Sequence, residues 1–352
     1  MTDKSRIIAA DHAGIAQAVA ILRAGGIVAV PTETVYGLAA RAGDADAVAR
    51  IYAAKGRPDF NPLIVHVTGV AQAAELVVID AQAAALMAAH WPGPLTLVLP
   101  LRPGAPIAGL VTAGLDTLAV RCPAHPVMQA LIAGCGPLAA PSANASGRIS
   151  ATTAAHVAAS LGGRVGLILD GGACRAGLES TIVAVADGVV TLLRPGAVAA
   201  EELPLVLGET DSRSGGREGL PGGEAPCTRL GEAAESDLTR LGEAAESDLS
   251  PKRRGVVAPG MMASHYAPTQ PVRLAALTAG RHEFHIGFGA IPGDATLSAS
   301  GDLVEAAARL FDLLHVAQAS GRTAIAVAPV PETGLGRAIN DRLRRAAAPR
   351  QI

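Results

Sequence analysis

Pro31-Thr32-Glu33-Thr34-Val35-Tyr36-Gly37-Leu38 follows directly on the apolar run Ile27–Val30. A short strand that stops at a proline and opens into a hydroxyl-rich loop presents polar groups at a strand end, where α/β folds commonly bind ligands. Lys55-Gly56-Arg57-Pro58 and Pro141-Ser142-Ala143-Asn144 share that character. All three segments adjoin apolar, strand-like runs and lie far apart along the chain. A fold that gathers them makes a pocket of fixed cations, hydroxyls and an amide, suited to an anionic substrate.

Outward from that stretch the pattern alternates. Ile15, Val19 and Leu22 recur at helical spacing after Asp11, a ready N-cap, and Gly25-Gly26 ends the helix. Asp44 can cap a second helix through Val48, Ile51 and Tyr52 that stops near Lys55-Gly56. Strands are expected over 63–67, 96–99 and 118–121, and helices over 81–90, 126–133 and 152–161. Pro137 to Ala140 reads as extended. Further strands are expected over 165–169, 181–185 and 189–193, the last two joined tightly through Asp187-Gly188. This is a mixed α/β (α+β) domain over residues 1–208, a twisted sheet with flanking helices rather than a strict βαβ repeat.

Composition changes after Gly208. A stretch over 209–270 reads as a linker and contains TRLGEAAESDL twice in tandem, at 228–238 and 239–249. Order resumes at Pro271, with strands expected over 272–274, 284–288 and 324–328 and helices over 303–317 and 335–347. Residues 271–352 thus read as a second, smaller Rossmann-like α/β domain.

Bulk properties exclude several classes. The 352-residue chain has 29 basic against 31 acidic residues, so no overall field steers it toward nucleic acid or an anionic membrane. One Trp, three Tyr and four Phe leave few stacking platforms for single strands. The four cysteines form no Cys-x-x-Cys pair; reduced thiols in a cytoplasmic protein are the expectation. No apolar leader or membrane span is expected, the window 81–101 being broken by His90, Trp91 and three prolines.

Individual candidates each have two readings. Lys55 and Arg57 point to one spot if Pro58 holds the stretch extended; otherwise they complement a helix C-terminus. Ser142 and Asn144 follow a short apolar run with the same i, i+2 spacing and can bond phosphate or ribose together if extended, or simply build a turn. Arg121 and Arg194 end strands and face either a crevice or a surface ion pair. His66 interrupts an apolar strand as a core histidine or a site residue. No P-loop pattern occurs, Gly287-x-Gly289 lacks a third glycine, and His282 with His285 lacks a third ligand, so no metal site is expected.

Taken jointly, PTETVYGL (31–38), KGRP (55–58), NPLIVHV (61–67), WPGPLTLVL (91–99), VRCP (120–123), PSANASG (141–147), ESTIV (179–183) and LLRPG (192–196) resemble the YrdC-like family of L-threonylcarbamoyladenylate synthases. APGMMASHYAP (258–268) is similar to the segment preceding the accessory domain in the family's long, two-domain form. The repeat-bearing insert near 209–255 has no counterpart in that pattern.

The resemblance implies a nucleotidyltransferase that converts L-threonine, bicarbonate and ATP to threonylcarbamoyl-AMP and pyrophosphate. Mg²⁺ would accompany the ATP phosphates. The product would pass to a separate transferase that modifies the tRNA adenosine next to the anticodon, leaving this chain's own tRNA contact indirect or weak. Carried over by position, threonine would meet Thr34, His66, Arg121, the backbone at Ala140, and Ser180. ATP would meet Arg57, Asn61, Thr117, Ser142, Ser150, Arg194 and Tyr266. Lys55, Arg57, Ser142 and Asn144 form the implied catalytic set, and Tyr266 would belong to a covering lid. Two other readings compete: a carbamoyl transferase of hydrogenase maturation, whose zinc motifs are missing here, and an RNA-binding or ribosome-assembly module that uses the basic cavity.

Overall fold

The computed structural model describes residues 5–186, 188–204 and 265–349, which belong to one compact body. The tandem repeat, Cys227, Asp187 and residues 258–264 lie outside the described residues.

Ten strands form one mixed sheet: β1 (Arg6–Ala9), β2 (Val28–Val30), β3 (Gly37–Arg41), β4 (Ile64–His66), β5 (Leu95–Pro100), β6 (Thr117–Arg121), β7 (Leu138–Ala139), β8 (Leu167–Asp170), β9 (Thr181–Ala186) and β10 (Val189–Arg194). Their spatial order is β1-β8-β2-β3-β7-β4-β6-β5-β9-β10. β2 and β3 are antiparallel with Val30 opposite Gly37, so Pro31–Tyr36 is the loop of that hairpin. Thr32 shapes the loop: its hydroxyl donates to Val35 O and accepts from the N–H groups of Thr34 and Val35.

Alternation along the strands sorts two apolar layers. Val28, Val30, Leu167 and Leu169 pack with Leu22 of α1 (His12–Arg23) and Leu131 of α6 (Pro126–Cys135). Ala29, Leu38 and Ile168 face the other way, with Ile51 of α2 (Ala45–Lys55), Met87 of α4 (Ala81–His90) and Val157 of α7 (Ala154–Leu161). Short helices α3 (Val70–Ala74) and α5 (Gly109–Thr112) lie in the connections. The anticipated caps form, Asp11 accepting from Gly14 N and Asp44 from Ala47 N. β1, β3 and the two short helices are additions to the sequence reading.

The C-terminal residues form a four-stranded, all-parallel sheet in the order β11 (Val272–Arg273), β14 (Ala324–Val327), β12 (Glu283–Gly287), β13 (Ala295–Thr296). Helices α8 (Leu303–Ala319) and α9 (Leu335–Ala347) complete it, matching the expected Rossmann-like class. This body does not stand apart from the large sheet. Val35, Ile149 and Leu178 share a core with Phe311, Leu314 and Ile339. His315 Nε2 bonds Ser150 O at 3.1 Å, and the His315 ring stacks on His156 with centroids 3.8 Å apart.

Gly177 shows how closely α8 approaches. It has φ +66°, and an added Cβ would lie 2.4 Å from Ala308 O. Gly177→Ala is therefore expected to lose about 3 kcal/mol or more of stability, from left-handed strain plus a backbone clash with no flexible atom to yield. An unfolding free energy from urea denaturation unchanged within about 0.5 kcal/mol would contradict the contact.

Candidate active site

Strand ends and loops converge on a half-open cavity of about 60 Å³, room for roughly four waters. β4 contributes His66, β6 Arg121, the chain just past β7 Ala140 and Ser142, the residue before β9 Ser180, and β10 Arg194. Thr34 enters from the β2–β3 loop, Arg57 from the chain after α2, and Tyr266 from the start of the C-terminal body. Segments more than 200 residues apart thus meet at one point.

Arg121 is the most constrained cation. Its Nη2 lies 2.6 Å from Glu33 Oε1, its Nη1 donates to Thr34 Oγ1 at 2.9 Å, and its Nε donates to Gly93 O at 3.1 Å. Nη2 nevertheless has no aligned acceptor for its hydrogens, and Glu33 Oε2 is unpartnered as well. Burial alone would raise the Glu33 pKa; the Arg121 charge and the bonds from Ala124 N–H and Arg121 more than offset this and hold it below the ordinary carboxylate value.

His66 is buried with Nδ1 unpartnered, and burial together with the Arg121 charge lowers its pKa to about 3. It is a neutral imidazole at the cavity wall. Ser180 Oγ pairs with Thr96 Oγ1 at 2.7 Å, and Arg194 Nη2 donates to Ser180 O at 2.9 Å. Arg57 donates from Nε to Asn61 O and from Nη2 to Pro62 O, which fixes the guanidinium against its own loop. Burial brings its pKa down to about 10 and that of Arg194 below the ordinary arginine value.

Two spacing arguments come out differently. Lys55 ends α2, and Gly56 takes the left-handed conformation (φ 60°, ψ 41°), with Arg57 N–H bonded back to Tyr52 O. The stretch is a helix cap rather than an extended strand, because Pro58 restrains only Arg57 and leaves Gly56 free to turn. Lys55 Nζ instead donates to the carbonyls of Ser142 and Asn144, each at 2.5 Å. Burial and the Arg57 and Arg164 charges depress its pKa well below the usual lysine value. Ser142 and Asn144 also diverge: Ser142 lines the cavity, whereas Asn144 Nδ2 donates to Ala145 O and Arg148 O.

Ser150, Asn61 and Thr117 are not among the residues that line the cavity. Ser150 Oγ donates to Glu179 Oε1 at 2.5 Å. Asn61 is buried, and its carbonyl accepts from Tyr52 Oη and Arg57. Thr117 stands on the Arg121 face of β6, four residues and about 13 Å further along the strand.

Residues outside the candidate set also build the site. Glu179 and His265 line the cavity, and Arg342 of α9 bonds Glu179 from behind. His265 is buried, and burial plus the Lys55, Arg57, Arg194 and Arg342 charges push its pKa well down. Tyr266 has φ +61° and packs its ring against His265, Phe311 and the Arg342 guanidinium. Among the described residues no three His, Cys, Asp or Glu side chains gather to hold a metal ion, and no helix is long and apolar enough to cross a membrane.

Comparison with known proteins agrees with this architecture. The family model described as "Telomere recombination" matches residues 20–196, and that described as "Threonylcarbamoyl-AMP synthase, C-terminal domain" matches 232–348. The chain is 38% identical to a threonylcarbamoyl-AMP synthase of Bacillus subtilis, covering 96% of this chain and 94% of the relative. It is 37% identical to one of Pyrococcus abyssi, covering 95% and 94%. The crystal structure of P. abyssi Sua5 complexed with L-threonine superposes with a TM-score of 0.77 at 34% identity, covering 97% of this chain and 98% of that one. With both family models matched and near-complete coverage of two-domain relatives, the chain belongs to the threonylcarbamoyl-AMP synthases, a family of nucleotidyltransferase enzymes.

Proposed function

We propose that this protein makes threonylcarbamoyl-AMP from L-threonine, bicarbonate and ATP, releasing pyrophosphate, for use by a separate enzyme that modifies a tRNA adenosine beside the anticodon. The observation that carries the reading is the cavity itself: Arg57, Arg121 and Arg194 line a small half-open space whose wall also holds His66, its Nδ1 without a partner. Buried polar groups without partners are rare unless a ligand supplies them. The threonine complex of the P. abyssi relative supports the same substrate here.

Threonine's carboxylate would dock on Arg121, with Thr34, His66 and Ser180 around it, and its amine would combine with bicarbonate to give a carbamate and water. A carbamate oxygen then attacks the α-phosphorus of ATP, the bond to the bridging oxygen breaks, and pyrophosphate leaves. Two anions must approach each other. Arg57 and Arg194 would offset that repulsion and stabilise the leaving group, so that positioning and fixed charge supply most of the rate. Mg²⁺ would arrive on the ATP phosphates: Glu179 is the one carboxylate-bearing residue among the cavity's lining, a donor set that suits an ion held mostly by nucleotide and water.

His265 and Tyr266 line the cavity beside Arg57 and Arg194. As a cover over the bound substrates, this pair would keep water from a hydrolysis-prone acyl-adenylate. The test is pyrophosphate release by the purified protein with ATP, Mg²⁺, bicarbonate and each amino acid in turn. Release that needs threonine and bicarbonate together is expected; release indifferent to the amino acid would refute the reading. Salt-sensitive RNA binding without turnover would instead favour the RNA-module alternative.

A further inference from the structure

Arg342 is a cation on the buried side of α9, wholly inaccessible to solvent, in a helix otherwise decorated with exposed or half-exposed arginines. Its Nε donates to Glu179 Oε2 at 2.8 Å and its Nη1 to Asp341 Oδ2 at 2.6 Å. Its guanidinium carbon lies 5.1 Å from the centre of the Tyr266 ring. Glu179 and Tyr266 both line the cavity; Arg342 does not. The other Glu179 oxygen is taken by Ser150 Oγ, and Asp341 is also held by Arg345 Nε at 2.9 Å. The result is one connected cluster that runs from the C-terminal helix to the cavity wall.

Charge arithmetic gives the cluster a purpose. A bare carboxylate at Glu179 would sit in the wall of a cavity that must accept a polyphosphate, and would cancel part of the field of Arg57 and Arg194. A carboxylate paired in low dielectric with a guanidinium presents little net charge. The same guanidinium lies over the ring of Tyr266, whose backbone is in the left-handed region.

We infer that Arg342 is a positioning residue for the reaction: from the C-terminal body it neutralises Glu179, so that the cavity beside Arg57 and Arg194 stays receptive to phosphate. The inference rests on the synthase reading of the cavity. It gives the C-terminal body a direct part in the chemistry, one that does not require it to touch substrate.

The test is a cycle of Glu179→Gln, Arg342→Met and the double variant in the full chain, read by threonine-dependent pyrophosphate release. Arg342→Met is expected to raise the KM for ATP about tenfold or more while moving the KM for threonine less than about threefold, because threonine presents no polyphosphate. The double variant is expected within about threefold of Glu179→Gln alone, since the carboxylate that needed neutralising is gone. Effects that multiply, or equal loss for both substrates, overturn the assignment. Should Arg342→Met not fold, Arg342→Lys and the double variant carry the comparison. A double variant folded and matching Glu179→Gln supports the role; one far below Glu179→Gln removes it. If the wild-type protein shows no threonine-dependent release at all, the synthase reading fails first, which separates the two outcomes.

Discussion

Arg121→Met should reduce kcat/KM for threonine on the order of a thousandfold, measured as pyrophosphate release. A carboxylate docked on a guanidinium makes two charge-assisted hydrogen bonds of about 1.5–3 kcal/mol each, and every 1.4 kcal/mol is a factor of ten. Stability should fall too. Removing Arg121 strands Glu33, buried and left with backbone N–H donors such as Ala124, and breaking such a pair costs about 3–5 kcal/mol.

The pH dependence should invert. In the wild-type protein Glu33 titrates below its ordinary value, so its contribution is present above the unfolded pKa and is lost as the medium acidifies through the folded one. Without Arg121, burial is the dominant influence and raises the folded pKa. Stability from Glu33 is then present at low pH and lost as pH rises. Urea midpoints at pH 4 and pH 7 should therefore move in opposite directions in the two proteins. The variant Arg121→Met with Glu33→Gln should regain stability but not activity. A double variant that turns over threonine would end the assignment of Arg121 as the carboxylate's partner.

Much of this arrangement could be read in advance because the relevant signals are local. Asp11 and Asp44 precede helical periodicity, and both cap. Arg121 and Arg194 follow apolar strand runs, and strand ends are where an α/β sheet gathers its chemistry. The additions are non-local. β3 is Gly-Leu-Ala-Ala-Arg, a composition with little β preference of its own. It is a strand because β2 and β7 flank it and satisfy its backbone.

The unread site residues follow the same rule. Glu33 gives no sign of its partner, which lies 88 positions further on. Arg342 did carry a signal: with Ala338 and Ala346 it falls on the i, i+4 stripe that α9 buries. A cation on an apolar stripe must find a buried anion, and beside Asp341 of its own helix it finds Glu179, just ahead of β9 in the other sheet. Spacing alone failed where backbone conformation intervened. The i, i+2 argument assumed extended chain at 55–57 and 142–144, and Gly56 turns the first while Asn144's bonds to Ala145 and Arg148 carry the second away from the cavity.

Lys55→Met tests what that turn implies. A cation that touches phosphate would, when removed, cost activity and return stability, since a desolvated charge is relieved. Lys55 is instead bonded to two carbonyls of the Pro141–Asn144 segment, which forms part of the cavity wall through Pro141 and Ser142. Removing the ammonium leaves buried carbonyls unsatisfied at about 1–3 kcal/mol each. The expected result is a joint loss: about 2–4 kcal/mol of stability by urea denaturation and at least a hundredfold in kcat/KM for ATP, because Ser142 is no longer held in place. Arg57→Met, by contrast, should lose ATP affinity at a smaller cost in stability, since Asn61 O keeps its bond from Tyr52 Oη when the Arg57 bond is lost. If Lys55→Met proves inactive yet as stable as the wild type or more so, the clamp is wrong and the ammonium acts on substrate directly. If it keeps full activity at reduced stability, Lys55 serves the fold alone.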